Sequence, residues 1–327
     1  MGSRRLQVLA HTPTYPPVVN AGSEQTLHAL LQALQDRGHA VDVLVDGTGY
    51  PAEWEGVPIT TSADRTALAA RYRWADVVLT QLGARNRSMR AAARAGRPVV
   101  QLLHMGGADA HAGADRPDLL VFSAEWLRAR DRSGARSVVL HPRVDAAKVT
   151  TTPGTAVTLI GLSERKGAAT FAALARRCPD RELLGVRGGW GDQVVPDPIP
   201  PNVRIIDNQA DVRVVYAQTR VLLLPSSHES FGRVAVEAGC SGIPTIAAPG
   251  PGVEEALGDA GLYAASDDIE AWSRHLDALD DPEVYAHHSD LARVNAKRWD
   301  FDGELADFEA ELLDLVLVAS RRAAGSA

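Results

Sequence analysis

Short apolar runs alternate with helical stretches along this chain, and the alternation is interrupted only once. LQVLA (6–10), AVDVLV (40–45), ADVVLTQ (75–81), PVVQLLH (98–104) and LLVFS (119–123) are strand-like runs with helical segments between them. A helix is expected from Ser23 to Arg37, where Leu27, Leu30, Leu31 and Leu34 recur at helical spacing until Gly38 ends the pattern. The strand-like runs are apolar on both faces, which predicts a parallel sheet covered on both sides. Periodicity lapses in HPRVDAAKVTTTPGT (141–155), where polar, Pro and Gly residues gather into a linker. The pattern then restarts with VTLIG (157–161), a helix from Ala168 to Arg177, LLGVRG (183–188), VRIID (203–207), VLLLPSS (221–227) and PTIAAPG (244–250). From Ile269 onward the sequence reads as helical throughout. The expected class is therefore α/β, with two Rossmann-like doubly wound domains at 1–142 and 143–300. A last helix, 301–327, is expected to cross back to the first domain. A length of 327 residues suits two cores better than one.

The totals exclude several classes. No apolar run approaches the ~20 residues that span a bilayer, and the apolar stretch near the N-terminus is too short for a secretory signal. Two cysteines, Cys178 and Cys240, make no disulfide framework and match no zinc spacing, so a reducing cytosol is the expected location. Peripheral membrane contact stays open. Net charge is +3 over residues 1–142 and −10 over the rest, which argues against general nucleic-acid binding. Arginine outnumbers lysine 31 to 3, but with abundant alanine this reflects GC-rich coding and not a nucleic-acid partner.

The densest chemistry lies in VLLLPSSHESFGRVAVEAGCSGIPTIAAPGPGVEEAL (221–257). A buried strand ending at Pro225 leads through a loop to a helix expected to begin near Ser230. A helix N-terminus offers unpaired N–H groups and a positive dipole end, a ready anion site. Gly232 would let a ligand approach the backbone closely. Glu229 and Glu237 are eight residues apart, just over two helical turns, which puts Glu229 at the mouth and Glu237 deeper on the same side. Carboxylates beside a phosphate site suit hydroxyl groups, because they accept two hydrogen bonds from a vicinal diol. The plain alternative, solvated helix surface with Glu229 as a cap, is weakened by the strand-loop-helix context, where open α/β sheets bind ligands.

E-x(7)-E within PSSHESFGRVAVEAGCSGIPTIA resembles the donor-site signature of glycosyltransferase family 4, retaining enzymes of GT-B fold. PPVVNAGSEQTLHALLQALQDRGHAVDVLV, LVFSAEWLRA, HPRVDAAKV and IGLSERKG are similar to successive segments of the same family, so the resemblance spans most of the chain. It implies transfer of a hexose from a nucleoside-diphosphate sugar, UDP- or GDP-type, to the hydroxyl of an unidentified acceptor. It implies that Glu229 holds the hexose hydroxyls and faces the anomeric centre, and that Glu237 accepts from the ribose. Backbone N–H groups of Phe231, Gly232, Arg233 and Val234 would cradle sugar and phosphate. Lys166 would neutralise the diphosphate, Gly22 would approach the phosphates from the other domain, and His104 would stand near the sugar. Cations and a helix terminus would stabilise the departing diphosphate without metal, so neither metal nor cofactor is expected and the nucleotide-sugar is a co-substrate.

Two departures stand out. Where the family has an arginine after the glycine closing the first donor-domain strand, Leu162 follows Gly161, and Arg165 is the candidate replacement. The usual glycine pair of the first loop is Ala21-Gly22. Asp300-Phe301-Asp302 has metal-motif spacing but lies between C-terminal helices and reads as structural. GVRGGWG (185–191) reads equally as a nucleotide-lining loop or a turn, Asn208 as a base contact or, in preference, a surface turn, and Arg87, Arg90, Arg94 and Arg97 as a contact for an anionic acceptor or, in preference, a solvated helix face. His11 stays an acceptor-side candidate. Two other readings remain beside glycosyl transfer, a GT-B sugar-nucleotide epimerase and a non-catalytic nucleotide-sugar-binding protein.

Overall fold

The computed structural model describes residues 4–62, 65–105, 116–189 and 191–325. Two compact units divide the chain, the first made of 1–143 with 301–327, the second of 144–300. The first unit runs β1 (Gln7–Thr12), α1 (Gly22–Asp36), β2 (Ala40–Val45), β3 (Glu53–Trp54), β4 (Val57–Thr61), α2 (Arg65–Trp74), β5 (Val77–Gln81), α3 (Arg85–Ala95), β6 (Val99–Leu103), β7 (Leu119–Phe122), α4 (Glu125–Arg130) and β8 (Ser137–Val139). Its eight-stranded sheet has the order β3-β4-β2-β1-β5-β6-β7-β8, parallel except for the β3–β4 pair. Successive strand residues feed opposite faces, which is why the runs are apolar throughout. Val8, Ala10, Val43, Val45, Val77 and Leu79 pack with Leu27, Leu30, Leu31 and Leu34 of α1. Leu9, Leu44 and Val78 instead meet Tyr72, Met89 and Ala92 on the other side. The sheet direction reverses between β1 and β5, so the segments after those strands form the first unit's topological switch point.

The second unit runs α5 (Ala146–Val149), β9 (Ala156–Ile160), α6 (Ala168–Arg177), β10 (Leu183–Val186), β11 (Val203–Ile206), α7 (Arg213–Tyr216), β12 (Thr219–Leu224), α8 (Arg233–Cys240), β13 (Thr245–Ala247), α9 (Pro251–Leu257), β14 (Gly261–Tyr263), α10 (Ile269–Ala278) and α11 (Pro282–Lys297). Its six strands pair in parallel in the order β11-β10-β9-β12-β13-β14. Val157, Leu159, Val221 and Leu223 bury against Phe171, Leu174, Trp272 and Leu276. Here the switch point lies between β9 and β12, and the loops after these two strands face each other.

The last helix, α12 (Phe301–Gly325), belongs to the first unit. Leu305, Phe308, Leu312, Leu315 and Val316 join the α1-side core. Each such side chain contributes about 1.5–3 kcal/mol on burial. Carboxylates position the helix around that apolar stripe. His39 Nε2 is 3.0 Å from Glu309 Oε1, and His141 Nδ1 is 2.7 Å from Glu304 Oε1. Among the described residues, no helix is long and apolar enough to cross a membrane.

Candidate active site

The loops after β9 and β12 are held against each other by glycine and by backbone. Gly161 ends the β9 loop's first step, and residues 164–166 make a single 3-10 turn. Gly167 follows at φ +85°, and a Cβ there would sit 2.5 Å from Pro225 Cγ. Glycine at 167 is therefore what lets the Lys166 turn lie on the Pro225 loop. Arg165 supplies its carbonyl to the backbone N–H of Ser227 at 3.0 Å, a second tie between the loops.

This contact delivers three side chains to one point. Lys166 Nζ forms an ion pair with Glu229 Oε1, and Ser226 Oγ donates to the same oxygen at 2.8 Å. The carboxylate is only 11% exposed while the ammonium is 38% exposed, so the pair is partly desolvated. Ser226 is a participant that the sequence reading did not single out. Its position in the Pro-Ser-Ser-His-Glu loop was the available signal.

Helix α8 begins at Arg233 and not near Ser230, because Gly232 adopts φ +86° and caps it from outside the helix. Glu229 consequently lies in the loop, and the two-turn argument linking it to Glu237 does not hold. The first N–H groups of α8 still lack intrahelical acceptors, as at any helix start. Phe231 places its ring in the unit's interior, 1% exposed and edge-on to Trp299 at 4.7 Å between centroids. Any contact from Phe231 is therefore by backbone. Gly252, the second residue of α9, is needed for closeness, since a Cβ there would run into the carbonyl oxygens of Glu229 and Ser230.

Glu237 is buried within the second unit. Its Oε2 accepts from Tyr216 Oη at 2.9 Å, and its Oε1 lies 2.8 Å from Arg233 Nε. Burial, then the Glu237 charge, pushes the Tyr216 hydroxyl far above its ordinary range, so it is a fixed donor. Each carboxylate oxygen has a second lone pair, leaving Glu237 with acceptor capacity. Arg165 is exposed and makes no ion pair among the described residues, whereas Leu162 is fully buried in the core with Phe171 and Leu183. The guanidinium that the resemblance leads one to expect after Gly161 is replaced by an apolar side chain that faces inward.

The second half of the nucleotide-lining candidate is tied to the same loops. Gln193 Oε1 accepts from Gly188 N at 2.7 Å and from Leu162 N at 3.2 Å, joining the segment after β10 to that after β9. Trp190 of GVRGGWG lies outside the described residues. Asn208 follows β11 on the surface and donates to Arg187 O at 3.4 Å.

In the first unit, Gly22 opens α1 and is exposed, with nothing within 4 Å of an added Cβ. His104 directly follows β6, half-buried, with Nε2 2.7 Å from Gln81 Oε1. Burial pushes its imidazole down to about 4, so it is neutral at physiological pH. His11 is 1% exposed and enclosed by Tyr72 Oη at 2.6 Å, Ser88 Oγ at 3.0 Å and Asp46 Oδ1 at 2.9 Å. It is a satisfied interior residue and not an open acceptor contact. Of the basic edge, Arg87 pairs with Asp46 and Arg97 donates to Arg73 O at 2.8 Å. Asp302 of the Asp-x-Asp triplet lies 3.5 Å from Arg143 in an ion pair.

Two doubly wound parallel-sheet units are the GT-B fold. Residues 198–294 match the model of the family glycosyl transferases group 1. D-inositol 3-phosphate glycosyltransferase of Corynebacterium glutamicum (strain R) is 30% identical over 161 residues, covering 44% of this chain and 38% of that protein. O-antigen chain mannosyltransferase B of Escherichia coli is 38% identical over 66 residues, 20% of this chain and 17% of that protein. The matched stretches thus span well under half of these relatives. Among solved structures, Anabaena Alr3699/HepE in complex with UDP and glucose superposes with TM-score 0.78 at 18% identity, covering 94% of this chain and 99% of that one. WaaG, a glycosyltransferase involved in lipopolysaccharide biosynthesis, gives TM-score 0.64 at 16% identity over 93% and 99%. Together these findings show a GT-B fold whose residues 198–294 are similar to glycosyl transferases group 1.

Proposed function

We propose that the protein transfers a hexose from a nucleoside-diphosphate sugar to an acceptor hydroxyl with retention of configuration and without a metal ion. The observation that carries this reading is the meeting of Lys166, Glu229 and Ser226 at the β9/β12 switch point, beside the N-terminus of α8. A cation and helix N–H groups together stabilise the negative charge that builds on a departing diphosphate. Glu229 faces the hexose and positions its hydroxyls, while Glu237, held by Tyr216 and Arg233, receives the ribose. Phe231 to Val234 contact sugar and phosphate through backbone N–H groups, and Asn208 borders the base. The Anabaena relative's complex with UDP and glucose supports a UDP-type donor. Gly22 and His104 are the candidate ligand contacts of the first unit, taken by itself. Retention rests on the resemblance to family 4.

The test is a thermal-shift series with UDP, GDP, TDP and their sugars in EDTA, followed by turnover of the binding donor. A ligand at 100 times its Kd adds about 2.7 kcal/mol of stability. Absence of any shift, or a shift abolished by EDTA, refutes nucleotide-sugar binding or metal independence respectively. One observation favours a second reading, non-catalytic binding: Leu162 is buried at the step where the resemblance to family 4 implies an arginine. Donor binding with neither transfer nor hydrolysis across an acceptor panel would establish it.

A further inference from the structure

We infer that Gln81, oriented by Thr12, is a positioning residue that holds His104 as the Nε2–H tautomer and presents its Nδ1 as a hydrogen-bond acceptor. A chain of hydrogen bonds whose direction is fixed at one end leads to this assignment. Thr12 Oγ1 donates to the backbone carbonyl of Thr14 at 2.9 Å. A carbonyl can only accept, and a hydroxyl has one proton, so Thr12 Oγ1 must accept from its other neighbour. That neighbour is Gln81, whose Nε2 donates to Thr12 Oγ1 at 3.1 Å. With the NH₂ group committed to Thr12, the amide's oxygen faces His104 Nε2 at 2.7 Å, so the imidazole must be the donor there. The orientation of an amide and the tautomer of a histidine are set by just such a network.

Burial makes the arrangement rigid. Thr12 and Gln81 are both 0% exposed, and Gln81 is the last residue of β5. Thr14 is itself anchored, its Oγ1 donating at 2.7 Å to Glu24 Oε1, a carboxylate that is also 0% exposed. The carbonyl that starts the chain is therefore held in place by the first turn of α1. The elements involved are the last residues of β1 and β5 and the residue after β6, neighbouring strands at the first unit's switch point.

The chemical consequence rests on the proposed function. A neutral imidazole offering a lone pair at Nδ1 accepts a hydrogen bond from a ligand hydroxyl and disfavours an anionic oxygen. His104 would thus recognise a sugar hydroxyl rather than a phosphate oxygen. The hydroxyl donates to Nδ1 and no proton is transferred.

The experiment is long-range ¹H–¹⁵N correlation on the ligand-free, full chain with ¹⁵N-labelled histidine, the His104 signal being assigned by its loss in His104→Gln. Wild type should show a protonated Nε2 and an unprotonated Nδ1. Gln81→Leu should shift both ring nitrogens toward averaged values as the two tautomers exchange. Thr12→Val, which leaves the amide free to turn over, should move them in the same direction, and Thr12→Ser should restore the wild-type pattern. Melting curves establish which variants fold, and Thr12→Val against Thr12→Ser decides the matter if Gln81→Leu does not. An Nδ1–H tautomer in wild type, or an unchanged pattern in a folded Gln81→Leu or Thr12→Val, overturns the inference. Because the readout needs no ligand, its failure is distinct from a failure of nucleotide binding, which the thermal shifts report.

Discussion

Replacing Glu229 by glutamine should change nucleotide binding and turnover in opposite directions. Without ligand, the Lys166 ammonium is already neutralised by Glu229, so a diphosphate must compete with an internal carboxylate. Exposed ion pairs are worth about 0.2–1 kcal/mol, and the upper end applies here because the carboxylate is mostly buried. Removing its charge should tighten free nucleoside-diphosphate binding by about two- to fivefold, while transfer falls by about 10²-fold, the scale for losing one group aimed at the transition state. Lys166→Met provides the counterpart. A hydrogen bond to a charged group contributes about 1.5–3 kcal/mol, less the ~1 kcal/mol the wild type loses in opening its pair, so binding should weaken roughly two- to thirtyfold. Isothermal titration with the diphosphate in EDTA at low and high salt measures both, and high salt should shrink the Glu229→Gln effect. Weaker diphosphate binding by Glu229→Gln, or unaltered binding by Lys166→Met, would refute the account of the site.

Glu237→Ala should weaken nucleotide and nucleotide-sugar alike and lower the melting temperature, since it strands Tyr216 Oη and the Arg233 guanidinium; Glu237→Gln should keep the fold, and calorimetry on both ligands checks the parity. Arg165→Ala should cut transfer by about 10²-fold at saturating donor, and Arg165→Lys should recover part of it. Near-normal turnover in Arg165→Ala would assign the second cation elsewhere. Asp42, buried in β2 with Oδ1 unpartnered, is pushed up to about 6 by burial despite Arg71 at 2.9 Å. A carboxyl raised on folding favours the folded state below its usual range, and that contribution is lost as pH rises through about 6. Asp42→Asn should therefore stabilise the protein at pH 8, by up to about 3 kcal/mol for a two-unit shift, and have little effect near pH 3. An unaltered melting temperature at pH 8 would count against the burial argument.

Strong, continuous patterns are legible in the sequence alone. The strand AVDVLV is β2 and the helix Ala168–Arg177 is α6, because each buries a long apolar face that leaves no competing register. The edges are not. β3, β8 and β14 have two or three half-buried or exposed residues each, too few to show a period. The start of α8 was misplaced by three residues because a left-handed glycine, which has no pattern of its own, sets the cap. Glu229 could be named from its own motif and Lys166 from the family resemblance, and the structure joins them. Tyr216 and Gln81 could not, since their parts depend on partners 21 and 23 residues away and on the fold that brings them together, while Ser226, three residues from Glu229, was marked only by its place in the loop. Leu162 is instructive in the other direction, because its burial explains the departure at a position that sequence could only mark as missing.

The packing of α12 has a consequence for biosynthesis. Arg37 meets Glu309 across 272 residues of chain, and the α1-side core is complete only when Phe308 and Leu312 arrive. A chain emerging in order exposes the apolar face of β1, β2 and α1 while all of 144–300 is still being made. At ~5–20 residues per second, that interval lasts roughly ten to thirty seconds. The second unit, continuous in sequence, can close its own core within that time. The nascent first unit spends it with its cover absent, which makes it the half on which a chaperone would act.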